Sequence, residues 1–219
     1  MNRPKTAAKG SAEIVREYGP FPGADNVGGV TFDGSAVWFA AGDAIRSFDP
    51  TTGREGRKLA VPGDAGTAFD GRHIFQLAGD RIVEIDPQTG AIVSTLPAPA
   101  SQGALAGLTW AEGKLWVAVH GEGKIHQIDP QTGRVLRTVE SARFVTGVTF
   151  VKGDLWHGTW EGDASDLRRV DATTGELLET VEMPAGSAVS GLESNGRDIF
   201  YCGGGRSGKV RALRRVRQT

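Results

Sequence analysis

The pentapeptide Asp49-Pro50-Thr51-Thr52-Gly53 is the first copy of the motif that decides the fold. The same Asp-Pro-x-Thr-Gly pattern stands at residues 86–90 and 129–133, and an altered copy, Asp-Ala-Thr-Thr-Gly, stands at residues 171–175. In such a turn Asp accepts hydrogen bonds from the backbone two residues on, Pro presets φ near about −65°, and Gly takes a positive φ. Each copy therefore predicts a hairpin turn between two strands.

A glycine at the start of a short strand is the second landmark. Its five copies lie 37, 41, 40 and 44 residues apart, at Gly29, Gly66, Gly107, Gly147 and Gly191. A period of about 40 residues is typical of the four-stranded blades of β-propellers. Alternating apolar residues, without a helical period, also favour strands. The sequence therefore predicts an all-β protein, a five-bladed β-propeller.

The last repeat lacks its fourth strand, because the chain ends soon after the strand predicted at residues 209–216. A strand with apolar residues is also predicted at residues 13–18, before the first repeat, and the first repeat offers it no partner strand. We expect this N-terminal strand to complete the last blade and close the ring, which would leave no open sheet edge. An open meander of strands is the alternative. The predicted organisation is a disordered segment at residues 1–11 and a single propeller domain at residues 12–219.

Composition and charge narrow the classes of partner and compartment. The net charge of −1 over 219 residues gives no overall field for nucleic acid or membrane, and the basic stretch at residues 206–217 fits a strand with one solvated face. The single cysteine, Cys202, permits no intrachain disulfide and suits a reducing compartment. With no apolar stretch typical of a signal peptide or membrane span, we expect a cytoplasmic monomer or weak oligomer with a small-molecule partner.

The candidate site lies on the face that carries the loops between the second and third strands. Those loops are short in blades one and two, whereas blades three and four place His120 and Trp160 there. A scaffold that varies on one face predicts a site on that face, here in the central funnel near blades three to five. We expect three catalytic residues, His157, Glu161 and His120, and six residues that bind substrate, Trp160, Tyr201, Phe144, Arg143, Asn26 and Arg206.

Chemistry supports those choices. A His with a pKa near about 6.5 can act as acid, base or metal ligand. Glu161 beside Trp160 would be desolvated, with a raised pKa, and could share one side of a strand with His157. The alternative is that His157 is a packing residue. No cofactor is indicated apart from a divalent metal that such His and Glu side chains could hold. The stretch at residues 203–209 matches a phosphate-binding loop weakly, since a strand rather than a helix follows it.

Residues 155–163, with Trp156 and Trp160 four positions apart, resemble one blade of the plant-type and bacterial glutaminyl-peptide cyclotransferases. That family is five-bladed, and the resemblance implies cyclisation of N-terminal Gln with Trp160 as a binding aromatic. The stretch that carries the family's catalytic Glu reads Ala-Ala-Gly-Asp here, at residues 40–43, and Thr146 stands where the family has Asn.

Residues 115–119 and 124–128 are similar to the repeats of virginiamycin B lyase-like proteins. Those proteins are seven-bladed, and the resemblance implies His and Glu working with a divalent metal. Two functions follow. The first is a small-molecule enzyme of lyase, hydrolase or cyclotransferase type; the alternative is a non-catalytic propeller that binds a ligand or protein partner. Close contact between His157 and Glu161 would favour the enzyme.

Overall fold

The computed structural model describes residues 7–63, 65–162 and 164–217. These residues form twenty strands, β1 to β20, joined by turns and loops. Blade one comprises β2 (Val30–Phe32), β3 (Val37–Ala41), β4 (Ala44–Phe48) and β5 (Glu55–Leu59). Blade two comprises β6 (Thr67–Phe69), β7 (Ile74–Ala78), β8 (Arg81–Ile85) and β9 (Ile92–Pro97). In the described residues there is no helix with the length and apolar character needed to cross a membrane.

The remaining strands repeat the same antiparallel order. Blade three comprises β10 (Leu105–Ala111), β11 (Lys114–Val119), β12 (Lys124–Ile128) and β13 (Val135–Glu140). Blade four comprises β14 (Val145–Val151), β15 (Asp154–Glu161), β16 (Ala164–Val170) and β17 (Leu177–Glu182). Blade five comprises β18 (Gly191–Ser194), β19 (Ile199–Gly203), β20 (Val210–Arg217) and, outermost, β1 (Ala8–Tyr18). The protein is an all-β propeller, and its strand order fits the count of five predicted from the repeat.

The N-terminal strand completes the last blade, as predicted. β1 runs antiparallel to β20, with Tyr18 opposite Val210 and Gly10 opposite Arg217. Its first residues also pair in parallel with β17, which joins blades four and five into one eight-stranded sheet. The open meander is therefore excluded.

The start of β1 corrects one predicted boundary. Residues 8–11, assigned from the sequence to a disordered segment, are in strand conformation because they pair with residues 179–182 of β17. Residues 1–6 of that segment lie outside the described residues. The assignment of residues 12–219 to a single domain stays a prediction.

The landmark glycines let the inner strands pack around the axis. A Cβ on Gly107 would lie 2.8 Å from the backbone nitrogen of Val148, and one on Gly191 would lie 2.8 Å from that of Val30. Glycines 29, 66 and 147 likewise abut the backbone of the next inner strand. Only glycine permits so close a backbone approach. Because each of the five glycines meets the following blade, and the last meets the first, the repeat encodes a closed ring.

The pentapeptide turns form one end of the ring, which we call the turn face. Oδ1 of Asp49 accepts hydrogen bonds from the backbone nitrogens of Thr51 at 2.7 Å and Thr52 at 3.2 Å, and Gly53 has φ of 78°. These bonds hold the pKa of Asp49 below its ordinary value. The turns are satisfied within themselves, in agreement with a structural role.

The core lies between neighbouring blades. Trp38, Trp116 and Trp156 are all buried on the second strands, where the repeat predicts core residues. Cys202 is fully buried, and burial raises the pKa of its thiol. The thiol is therefore protonated and unreactive at neutral pH.

Candidate functional site

A central cavity of about 720 Å³ opens at the end of the axis opposite the turn face. We call it the funnel. Every blade contributes to its wall, which includes Asn26 and Gly28 of blade one, Ala65 of blade two, Leu105 and His120 of blade three, Thr146 and Trp160 of blade four, and Ser190, Arg206 and Arg211 of blade five. Four residues predicted for the site line this funnel: His120, Trp160, Asn26 and Arg206.

His120 is held at the funnel wall by the neighbouring blade. Its backbone nitrogen donates a hydrogen bond to the carbonyl of Ala104 at 2.8 Å, and its Nδ1 lies 3.2 Å from the carbonyl oxygen of Val145. A carbonyl can only accept, so this contact places the proton of the neutral ring on Nδ1 and leaves a lone pair on Nε2. The ring also packs against exposed Phe144, with centroids 5.3 Å apart.

Trp160 forms an apolar part of the rim. It lies at the end of β15 and remains 44% exposed. Its indole nitrogen donates to the carbonyl oxygen of Gly162 at 2.8 Å, which fixes the ring although most of one side meets solvent. An exposed but oriented indole is suited to contact a ligand.

His157 lies away from the funnel wall. It is fully buried, and its Nδ1 is 3.2 Å from the carbonyl oxygen of Gly158. Its Nε2 has no partner among the described residues. Burial lowers the pKa of His157 to about 4, so the ring is neutral at neutral pH. These features match the packing interpretation of His157.

Glu161 is paired with a cation instead of being desolvated. Arg143 lies 3.0 Å from Oε2 of Glu161 and 3.0 Å from Oδ2 of Asp166, and the backbone nitrogen of Phe144 donates to Oε1 of Glu161 at 3.2 Å. The hydrogen bond from Arg143 holds the pKa of Glu161 below its ordinary value. The predicted rise in that pKa is wrong, because the guanidinium rather than the ring of Trp160 dominates the environment.

The structure does not bring His157 and Glu161 together. They are four residues apart on β15, which separates their Cα atoms by about 13 Å in an extended strand. In the described part of the chain, each bonds to different partners. Arg143 lies with Asp166 in a separate cavity, and its two carboxylate partners raise its pKa. It is therefore engaged rather than available to a ligand in the funnel.

Tyr201 belongs to the core between blades five and one. Its exposed fraction is 6%, and its ring centroid is 5.6 Å from that of Phe32. Burial raises the pKa of Tyr201 to about 12. The structure thus gives Tyr201 a packing position instead of the substrate contact expected from the sequence.

Among the residues that the structure describes, one group of side chains could hold a metal ion. The ligand atoms of Asp70, His73 and Glu84 all lie within 4.8 Å of one another, and Nδ1 of His73 is 2.5 Å from Oε1 of Glu84. The group lies toward the turn face, since Asp70 is in the loop between the first two strands of blade two. The donor set of one imidazole and two carboxylates suits a divalent ion, but it differs from the residues predicted at the funnel.

Glu193 is a residue that the sequence reasoning missed. It lies near the axis on β18, where its carboxylate accepts hydrogen bonds from the hydroxyls of Thr31 at 3.1 Å and Thr149 at 2.5 Å. The backbone nitrogen of Ser194 donates to it at 2.8 Å. Burial raises the pKa of Glu193 from 4.5 to about 7. Its position two residues after a landmark glycine, where blades one, three and four have Thr, was the signal available.

Similar solved structures define the class of the fold. The crystal structure of Myxococcus xanthus Glutaminyl Cyclase matches with a TM-score of 0.78 at 16% identity, covering 98% of this chain and all (100%) of that chain. The β-propeller domain of Myceliophteria thermophila Cps50 (Swd1) matches with a TM-score of 0.58 at 11% identity, covering 93% of this chain and 99% of that chain. The protein is therefore a β-propeller that resembles the cyclotransferases in fold.

The sequence also identifies a family. Residues 81–216 match the family model PQQ_2, described as outer membrane protein assembly factor BamB. The match spans more than half of the chain, and the protein belongs to this family. No curated protein matches the sequence.

Proposed function

We propose that the protein is a cyclotransferase-type enzyme that acts on a small molecule in the funnel, with His120 as its acid/base group. The observation that carries this proposal is the bond from Nδ1 of His120 to the Val145 carbonyl, which leaves Nε2 as a base on the wall of a cavity shared by all blades. The fold similarity to Myxococcus xanthus Glutaminyl Cyclase supports this reaction class.

Cyclisation needs few catalytic groups from the protein because the nucleophile and the electrophile belong to one substrate. The substrate's amino nitrogen attacks its own side-chain carboxamide carbon, a C–N bond forms, and the bond to the leaving nitrogen breaks with release of ammonia. One proton must pass from the attacking amine to that leaving group. A single histidine can take it on Nε2 and return it, so no paired carboxylate is needed.

Neighbouring residues would position the substrate. Trp160 offers an oriented apolar surface at the rim. Thr146 also contributes to the funnel wall, while its hydroxyl oxygen is buried beside Gly158 of β15.

Turnover of a peptide that begins with Gln tests the proposal. The reaction is followed by the release of ammonia and by the fall in peptide mass of about 17 Da, which is one ammonia per turnover. His120→Ala should lower kcat by at least about 100-fold, because the proton relay is lost. His126→Ala is the matched control, since His126 lies on β12 and bonds to Thr138 outside the funnel. Absence of turnover by the native protein, or an unchanged kcat in His120→Ala, would contradict the proposal.

A non-catalytic, partner-binding propeller is the second candidate. Two observations favour it: the described lining residues of the funnel include no carboxylate, and the family description names an assembly factor. This candidate expects ligand-induced thermal stabilisation without any turnover. We also propose a cytoplasmic location and a monomeric or weakly oligomeric state, which cell fractionation and light scattering would test.

A further inference from the structure

Arg211 is a buried cation on the funnel wall that the sequence reasoning did not select. It lies on β20, and its exposed fraction is 8%. Its Nε donates to Oε1 of Glu17 at 2.9 Å, and the other oxygen of Glu17 accepts from Nζ of Lys209 at 2.9 Å. Because Glu17 lies on β1, the strand that closes the ring also fixes this guanidinium.

The hydrogen-bonding capacity of Arg211 is largely unused. A guanidinium carries five N–H donors and stays charged at any physiological pH. Among the described residues only its Nε has a partner, and Nη1 is buried without one. Leaving buried donors unpaired is costly, so the site favours a ligand that supplies acceptor oxygens.

Charge at this wall is positive. Glu17 is shared between Lys209 and Arg211, so the three side chains together carry one net positive charge. Arg206 adds a second cation, exposed at the same funnel, and its described neighbours on the wall, Asn26 and Ser207, are neutral. An anion entering the funnel would meet two guanidinium groups.

The glycine-rich loop packs closely against the guanidinium. A Cβ on Gly204 would lie 2.9 Å from Nη1 of Arg211 and would also overlap the hydroxyl of Ser207. The loop leads into β20 rather than into a helix, which excludes the phosphate-binding loop that the sequence weakly suggested. Its glycines serve a different purpose, since Gly204 lets the loop backbone pack directly against Nη1 of Arg211.

The geometry points to an oxyanion subsite formed by Arg211 and Arg206, which binds a carboxylate or phosphate group of the funnel ligand. Arg211 supplies the buried fork that matches two oxygens, and Arg206 closes over the exposed side. This inference rests on the proposed function only in taking the funnel as the ligand site. It names the chemical class of that ligand as an anionic small molecule.

Calorimetric titration with inorganic phosphate, and separately with acetate, at matched ionic strength tests the subsite. Native protein should bind one of the two saturably, and the tighter one identifies the group. Arg211→Gln should weaken binding by at least about 10-fold, and Arg206→Gln by about threefold. Arg215→Gln is the matched control, since Arg215 lies on the same strand but pairs with Glu179 at 2.8 Å. This variant should bind the anion as tightly as the native protein.

Circular dichroism shows whether the Arg211→Gln variant folds. If that variant does not fold, the affinity of Arg206→Gln decides whether the arginines bind the anion. No saturable binding by native protein, or unchanged affinity in the folded arginine variants, would overturn the subsite. The titrations need no turnover. If native protein binds phosphate or acetate but cyclises no peptide, the proposed reaction is overturned and the subsite stands. If it cyclises the peptide but binds neither anion, the subsite is overturned and the reaction stands.

Discussion

The turn face and the funnel face are made by the same repeats, yet they satisfy their polar groups in different ways. On the turn face, Asp49 takes hydrogen bonds from the backbone of its own loop. On the funnel face, His120 bonds to Val145 of the next blade, and Arg211 bonds to Glu17 of the closing strand. The difference teaches that local motifs build the ring, whereas contacts between segments distant in the chain give it individual chemistry.

The largest expected effect comes from breaking the ring itself. Gly147→Ala would drive a Cβ into the backbone of Gly191 and Leu192 in the next blade, where nothing flexible can yield. We expect a loss of more than about 3 kcal/mol in the free energy of unfolding, or failure to fold. Denaturant unfolding monitored by circular dichroism measures it.

Gly153→Ala is the control in the same blade. Gly153 has φ of +91° at a turn, but a Cβ there meets nothing within 4 Å. Its cost should be only the backbone strain of about 1–2 kcal/mol. Equal losses in the two variants would refute the packing role of the inner glycines.

A smaller effect is expected at Glu193. Its carboxyl lies near the axis and has a raised pKa, unlike the aspartates of the turn face. Its pKa is about 7 in the folded protein against 4.5 ordinarily, so the native state binds more protons than the unfolded state between those values. The contribution of Glu193 to stability should therefore be greatest below about pH 4.5 and be lost as pH rises through about 7, by up to about 3 kcal/mol.

Glu193→Gln should remove that fall, because the amide stays neutral. The variant should gain stability relative to the native protein at pH 8 and little at pH 5, as measured by urea unfolding at both values. Glu140→Gln, at an exposed strand position, should show no such pH-dependent difference. A parallel response of the two variants would speak against a raised pKa of the half-buried carboxyl near the axis.

The smallest effect should come from one turn aspartate. Backbone hydrogen bonds, led by that of Gln131, hold the pKa of Asp129 below its ordinary value. The sign is opposite to that of Glu193: the contribution is present above the ordinary pKa and is lost as pH falls through the lowered one. Asp129→Ala should lower Tm slightly at pH 7 and less at pH 3.

Asp129→Asn is the informative comparison, because Asn195, in the turn between the first two strands of blade five, accepts the same pair of backbone hydrogen bonds through its side-chain oxygen. That variant should keep most of the native Tm at both pH values. A drop as large as that of Asp129→Ala would mean that the charge, not the capping bond, stabilises the turn.

The sequence predicted the strands, the turns and the closing strand well, because each depends on neighbours along the chain or on a regular period. The residues predicted for the site only partly coincide with the funnel lining. His120, Trp160, Asn26 and Arg206 reach the funnel because their loops lie on the expected face. Phe144 lies beside His120, but it packs on that ring from the exposed side.

The misses share a cause. Glu161 was assigned by its sequence neighbour Trp160, whereas its partner Arg143 comes from the preceding loop across the sheet. Tyr201 was assigned by its place on the second strand of blade five, but packing against blade one buries it. In both cases the deciding neighbour is distant in sequence, and the strand pattern carries no information about it.

The sequence by itself determined the architecture of this protein: period, turn chemistry and glycine spacing specify a ring of four-stranded units because hydrogen bonds within each hairpin are local. Only the tertiary structure decided which polar groups meet, such as Glu193 with Thr31 and Thr149 near the axis, and Arg211 with Glu17 at the funnel. Those pairs join strands far apart in the chain. Their burial and charge arise when the ring closes, and no stretch of sequence holds both partners.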